Sequence, residues 1–321
     1  MLLWRQILVG GLIFFSLEAG SVVLAQTPAE EPAEVSRTGP PPGRGPYLAA
    51  GYIHSFRTSI DGGGAFSTQT AFATGQLGVP VGKGFIVGAQ VAWQGDWYSF
   101  DGPNQVSLSA QRRPWGDVQS FAVSGTVGRR VDAWWFHAVF STRFSFEEGA
   151  SLGSSFNPGG IAGFQYTFSP GLKLGLGILV NARLEDDPLI VPIPYLHWEI
   201  VEGLILSNSI APEAYPRGPG VELAWRFRPQ WSLALGGRWE YRRFRLNDDG
   251  AALRRGGVGE DEGVPLWLRL TWRATPNLRA DLLGGASLVN RLRLTDASGA
   301  TLRSEGTDSV PMLGAFVSYR F

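Results

Sequence analysis

The chain has 321 residues, 44% of them hydrophobic and 17% charged, with 43 glycines, no cysteine and a formal net charge of zero. That apolar content excludes disorder throughout, and the missing cysteine excludes disulfide scaffolds and thiolate chemistry. Balanced charge argues against nucleic acid as the main partner, which requires a basic face.

The first 25 residues place Arg5 ahead of an apolar stretch from Ile7 to Leu17, followed by Val23-Leu24-Ala25. This order predicts a secretory signal peptide cleaved near Ala25. The apolar stretch is short for a membrane anchor and ends at Glu18. Residues 26–46 carry Pro28, Pro32, Pro40, Pro41, Pro42 and Pro46 with hardly any large apolar side chain. Burial cannot offset the ordering entropy of such a segment, so it reads as a flexible periplasmic tether. Residues 47–321 then form one domain.

Beyond Pro46 the period is two. From Trp134 to Phe146 the even positions are mostly aromatic, while the odd ones include His137, Ser141, Arg143 and Ser145. The stretches 172–183 and 264–273 alternate in the same way. Very short links near 82–84, 129–132, 169–171, 201–203, 228–230 and 274–277 alternate with longer polar ones at 58–64, 99–115, 147–158, 184–189, 211–218, 247–262 and 293–307. Tight periplasmic turns opposite longer external loops are the mark of an outer-membrane barrel. The expected fold is all-β: a transmembrane, antiparallel, up-and-down barrel of about 14 strands, with 12 as the alternative. Strands are expected near 47–57, 65–80, 85–98, 116–128, 133–146, 159–168, 172–183, 190–200, 204–210, 219–227, 231–246, 263–273, 278–292 and 308–321. Trp93, Trp97, Trp198, Trp225, Trp239, Trp272, Tyr241 and Tyr319 read as interfacial aromatics on the apolar face. The loop 99–115 reads as outward; folded inward, its Gln111-Arg112-Arg113 would stand at a constriction.

The last strand puts Val317, Tyr319 and Phe321 on one face and ends in an aromatic residue. It resembles the C-terminal signal by which the barrel-assembly machinery recognises its clients. Leu189 to Phe321 also resembles the C-terminal half of an uncharacterised family of bacterial outer-membrane barrels, a domain of unknown function. The resemblance is carried by Val191-Pro192-Ile193-Pro194-Tyr195-Leu196-His197-Trp198, by Gly220 to Phe227, by Trp231-Ser232-Leu233-Ala234-Leu235-Gly236 and by Arg320-Phe321. It implies a fold and a location in the outer membrane, among its lipid and lipopolysaccharide, and no activity.

Alternation turns Arg143, Arg183, Arg226, Arg238, Arg242, Arg269 and Arg279 inward, with Glu222, Glu240 and Asp281 as the main inward acids. These ten residues are the candidate pore lining. An excess of arginine favours a wet lumen and anionic solutes, whereas arginine–carboxylate pairs alone would brace a filled interior. The leading expectation is a narrow passive pore for small polar solutes. A non-conducting barrel working through its external loops is the main alternative. A lipid hydrolase is the minor one, with His197, Glu199 and Ser207 as its sole candidate triad. Those three read inward, away from lipid, so the chain reads as a non-enzyme without cofactor or metal. The acidic runs Glu185-Asp186-Asp187, Asn247-Asp248-Asp249 and Glu260-Asp261-Glu262 read as solvated loop charge.

Overall fold

The computed structural model describes residues 46–102, 106, 113–208, 220–249 and 253–321. The expected signal peptide, nearly all of the tether, Gln111, Arg112 and the link 211–218 lie outside the described residues. The strands are β1 (Tyr47–Ser59), β2 (Ala65–Val81), β3 (Phe85–Asp101), β4 (Val118–Val131), β5 (Trp134–Glu147), β6 (Phe156–Ser169), β7 (Leu172–Arg183) and β8 (Asp186–Val201). They continue with β9 (Leu204–Ser207), β10 (Gly220–Arg228), β11 (Trp231–Arg238), β12 (Glu240–Arg245), β13 (Val258–Arg273), β14 (Leu278–Thr295), β15 (Thr301–Thr307) and β16 (Val310–Arg320).

Apart from β11 with β12 and β15 with β16, each strand pairs antiparallel with its neighbour in sequence, and β1 closes on β16 in the register Tyr47↔Arg320 to Ser55↔Met312. The two segments β11 and β12 both pair with β13, interrupted only at Trp239. Likewise β15 and β16 both pair with β14. Each of these couples is one wall crossing, so the barrel has 14 crossings and no free edge.

Burial alternates as the pleat requires. On β5, Trp135, His137 and Val139 are buried while Trp134, Phe136 and Phe140 are exposed, Phe140 at 70%. On β16, Val310, Met312, Phe316 and Ser318 are buried while Leu313, Val317 and Tyr319 face out. The exposed face carries Val, Leu, Ile, Phe and Trp on nearly every strand, which is the surface that lipid requires of a spanning barrel. Inside, aromatic rings lie over glycines on the facing strand. A Cβ at Gly51 would sit 2.2 Å from the Phe316 ring, and one at Gly236 would sit 2.4 Å from the Trp267 ring.

The external side departs from the expected loops in four places. The link 184–189 is a two-residue turn, Leu184-Glu185, with Glu185 at φ 50 and Arg183 paired with Asp186. The link 293–307 is largely strand, with only a short turn left between Thr295 and Thr301, and 247–262 is strand from Val258 on. These ends rise beyond the lipid, where neither face must be apolar, so polar, acid-rich sequence there hides its ladder. Part of the loop 99–115 turns inward instead of outward, with Val106 and Trp115 fully buried. Arg113 stays exposed.

Candidate functional site

The lumen is built from two unlike walls. Along β5 to β8 it is apolar: Val139, Ile161, Leu179 and Val191 form a buried cluster flanked by Leu189, Ile193 and Tyr195. His137 Nε2 lies 2.8 Å from the Tyr195 hydroxyl at the edge of this patch.

Along β10 to β14 the wall is ionic. The Arg269 guanidinium bridges Glu222 on β10 and Asp281 on β14, although β11 stands between β10 and β13. It reaches across because the inward positions of β11 in between are Ala234 and Gly236. The Trp267 Nε1–H donates to Glu222 Oε2 at 3.2 Å over the same glycine. Asp281 also accepts from Arg279 at 2.8 Å and from the Thr271 hydroxyl. Arg238 lies with its guanidinium 5.0 Å from the Trp267 ring centroid, a cation–π contact. Five of the ten expected lining residues are therefore gathered in one network. Next to it, Ile53, Phe72, Trp267, Leu283, Met312 and Phe316 form a second apolar cluster.

Glu240 and Arg242 stand higher, on β12, 2.8 Å apart. Arg183 sits at the external rim, 3.0 Å from Asp186. Arg143 and Arg226 lie apart from the network, half-buried on β5 and at the lower end of β10.

Above these walls a packed apolar core lies across the external mouth. Beyond Trp239 the β12–β13 hairpin leaves the wall and crosses to the opposite side, where Arg245 forms a parallel bridge with Phe146 of β5. Phe244 and Leu246 enter a buried apolar core with Ile60, Phe66, Tyr98, Val106, Trp115, Val118, Leu292, Leu294 and Val310. The Trp115 and Phe244 rings stand edge-on at 5.3 Å. Around this core lies an ionic rim. Arg254 meets Glu147 at 3.4 Å and Arg245 meets Glu185 at 2.7 Å. Arg243 pairs with Glu260 and, at 3.2 Å, with Asp186, and the Asn247 backbone N–H donates to Glu147 at 2.9 Å. On the lumen side Arg242 faces three carboxylates, Asp96 at 3.3 Å, Asp261 at 3.4 Å and Glu240.

These contacts correct two expectations. The acids at 260–262 are not solvated: Glu260 is buried, 2% exposed, and Asp261 accepts from the Tyr98 hydroxyl at 2.8 Å. The inward acids are also more numerous than alternation suggested, since Asp96, Glu147 and Asp261 join them and partner the arginines. Asp96 sits on β3 in the expected register but reads as an isolated acid in an aromatic run. Its partner lies more than a hundred residues away, and no local pattern connects them.

His197 and Ser207 are cross-strand partners facing the lumen, and Glu199 Oε1 accepts from the Gly203 amide at 3.0 Å. The set stays on the inner face, away from lipid. Among the described residues no group of three or more His, Asp or Glu is placed to hold a metal ion.

No family model matches the chain, and no curated protein matches it by sequence. Solved structures do. A crystal structure of an outer-membrane channel from Pseudomonas putida F1 matches at a TM-score of 0.50 and 10% identity, covering 90% of this chain and 100% of that one. This chain has the fold of an outer-membrane channel. The toluene transporter TodX of P. putida matches at a TM-score of 0.39 and 10% identity, over 86% of this chain and 90% of that one. A KdgM porin matches at 0.32 and 8% identity, over 85% and 99%. The resemblance of Leu189 to Phe321 to outer-membrane barrels is upheld at the level of fold.

Proposed function

We propose that the chain is a passive outer-membrane channel for small polar solutes, anions among them. The observation that carries this reading is the ionic wall of β10 to β14, where Glu222, Arg269, Asp281, Arg279 and Arg238 face inward in a closed barrel. A barrel serving only as a scaffold gains nothing by placing charges inside, because their desolvation costs about as much as their pairing returns. Arg279, Arg242 and Glu240 keep 13%, 16% and 18% of their side-chain surface accessible, which is where lumen water would meet the lining. With Asp96, Glu147 and Asp261 added to the ten expected lining residues, seven arginines stand against six carboxylates, a small excess that favours anions. In this reading Arg226 lines the lower path, Arg143 the upper wall beneath the mouth and Arg183 the external rim.

The signal peptide is removed near Ala25, residues 26–46 remain as a periplasmic tether, and the barrel-assembly machinery inserts the chain among outer-membrane lipid and lipopolysaccharide. A non-conducting barrel is the second reading, and the packed core at the mouth favours it.

Single-channel recording from the purified protein in a planar bilayer separates the two. The channel reading expects discrete steps, a reversal potential on the anion side in a salt gradient, and a shift toward cations in Arg238→Gln/Arg279→Gln. Silence over the full voltage range, also after the β12–β13 hairpin tip is shortened, overturns it.

A further inference from the structure

We infer that the β12–β13 hairpin is a hinged lid on the external mouth, latched by Arg242 against Asp96. The inference rests on the channel reading for what passes when the lid lifts, but the lid itself is argued from geometry alone.

The hinge spans three neighbouring strands at one height. Trp239 interrupts the crossing between β11 and β12. Opposite Glu240, Gly263 on β13 leaves room for β14: a Cβ there would lie 2.3 Å from Asn290 Oδ1 and 2.5 Å from Ser287 Oγ. The β13–β14 register slips between Glu262 and Val264, and the residue extruded from β14, Val289, is 83% exposed at φ 51. A β-branched residue in the left-handed region is a strained choice. It marks a bend that the fold imposes on the strand. Hinges are commonly such element-end positions, which absorb the backbone change.

Beyond the hinge the hairpin and the ends of β14 and β15 form one four-stranded flap, since Val258–Glu262 pairs with Arg291–Thr295 and that end of β14 with β15. Glu240–Arg245 pairs with Val258–Gly263 in an unbroken ladder. What joins it to the far wall is, apart from the bridge at Phe146, side-chain contact. Its lifting keeps the β12–β13, β13–β14 and β14–β15 ladders whole and breaks, besides those contacts, the Ile60–Thr307 bridge and the bond from the Asp61 N–H to the Gly306 carbonyl.

The latch is a charge arrangement and not only packing. Asp96 is set in advance on the far wall, accepting from the Thr70 hydroxyl at 2.6 Å and from Gln94 Nε2 at 2.8 Å. The hairpin presents two further carboxylates to the same place, Glu240 and Asp261, and Arg242 stands among all three. With Arg242 present the hairpin is drawn onto Asp96. With a neutral residue there, two hairpin carboxylates face a wall carboxylate and the same surface repels. Neutralising Asp96 as well removes the repulsion at the wall.

The chain has no cysteine, so one introduced thiol reports on the mouth. Ser120 is buried on β4, bonded to the Ser145 hydroxyl at 2.7 Å, two residues below Val118 of the mouth core. Whole cells carrying the full chain with Ser120→Cys are treated with a maleimide too large for general porins. Each variant is first checked for the faster gel mobility of a folded barrel. The expected result is slow labelling of Ser120→Cys alone, labelling at least tenfold faster with Arg242→Gln, and a return toward the slow rate when Asp96→Asn is added. Equal rates with and without Arg242, or no return with Asp96→Asn, overturn the latch.

A second variant does not depend on removing Arg242. Arg245→Cys/Phe146→Cys, at the bridge, ties the lid to β5 when oxidised. In a planar bilayer its current is expected to be near zero oxidised and to rise on reduction, whereas equal, non-zero currents in both states overturn the lid. Latch-dependent labelling without any current, oxidised or reduced, leaves the lid standing and removes the channel reading instead.

Discussion

Arg269 shows how a single side chain organises the lumen. Its guanidinium lies between Glu222 and Asp281, with all three buried. Removing one partner of a buried ion pair leaves an uncompensated charge, whereas removing both can be nearly neutral. Arg269→Met is therefore expected to destabilise the barrel by about 3–5 kcal/mol, since Glu222 loses the guanidinium that Arg269 holds against it. Glu222→Gln costs less, because Asp281 continues to neutralise Arg269. The double variant is expected to be more stable than Arg269→Met alone, and the coupling is read by urea unfolding in lipid vesicles as a double-mutant cycle. Strict additivity would show that Arg269 acts through packing and not through charge. Gly236 belongs to the same argument, since any side chain there would collide with Trp267 and block the reach from β13 to β10.

Elements explain which parts of the fold were readable. Through the membrane each strand has one face on lipid and one on the lumen, so the period of two is written into the residues, as in β5 and β7. Above the membrane that constraint ends. On β12 Arg243, Phe244 and Arg245 are buried in succession, because one face covers the mouth core and the other meets the β7–β8 turn. Alternation disappears there, so the acids of 258–262 resemble loop charge although they lie in a ladder. The inward side of the transmembrane strands was legible by parity, as on β5 and β16. Their grouping into an ionic wall and an apolar wall was not, because it depends on which strands adjoin in the closed ring.

The β14–β15 turn gives a prediction at this scale. Asp296 accepts from the Ser298 hydroxyl at 2.7 Å and from the Ala300 and Ser298 amides at 2.9 Å. These bonds, that from the Ser298 hydroxyl foremost, hold its carboxyl below the ordinary carboxylate range. A carboxyl lowered in the folded state steadies the turn fully above its unfolded value, about pH 4. That contribution is lost as the pH falls through the lowered value in the fold. Amide exchange at Ser298 and Ala300 is expected to stay slow down to about pH 4 and to quicken below it, relative to the intrinsic rate. In Asp296→Asn this acid-dependent step is expected to vanish. A step of the same size in that variant would assign it to another group.

At the scale of the whole molecule, closure depends on the last strand, which pairs with β1 on one side and β14 on the other. Its inward residues, Met312, Phe316 and Ser318, are packed inside the barrel. The outward set Val317, Tyr319 and Phe321 is exposed at 48%, 42% and 63%, and the Tyr319 and Phe321 rings touch edge-on at 5.0 Å. Their side chains face lipid and carry little of the internal packing. Beyond the ladder, the Phe321 backbone N–H donates to the Pro46 carbonyl at 3.0 Å, a bond that any residue at this position keeps. Replacing an aromatic ring here should therefore alter how the chain is recognised more than how it is held together. Phe321→Ala is expected to refold in detergent with an unfolding midpoint close to that of the unmodified chain. In cells it is expected to reach the outer membrane several-fold more slowly, as measured by pulse-chase of the heat-modifiable form. An equal loss in both settings would make the terminal aromatic a structural cap. No loss in either would remove it from the assembly signal and leave Val317 and Tyr319 to carry recognition.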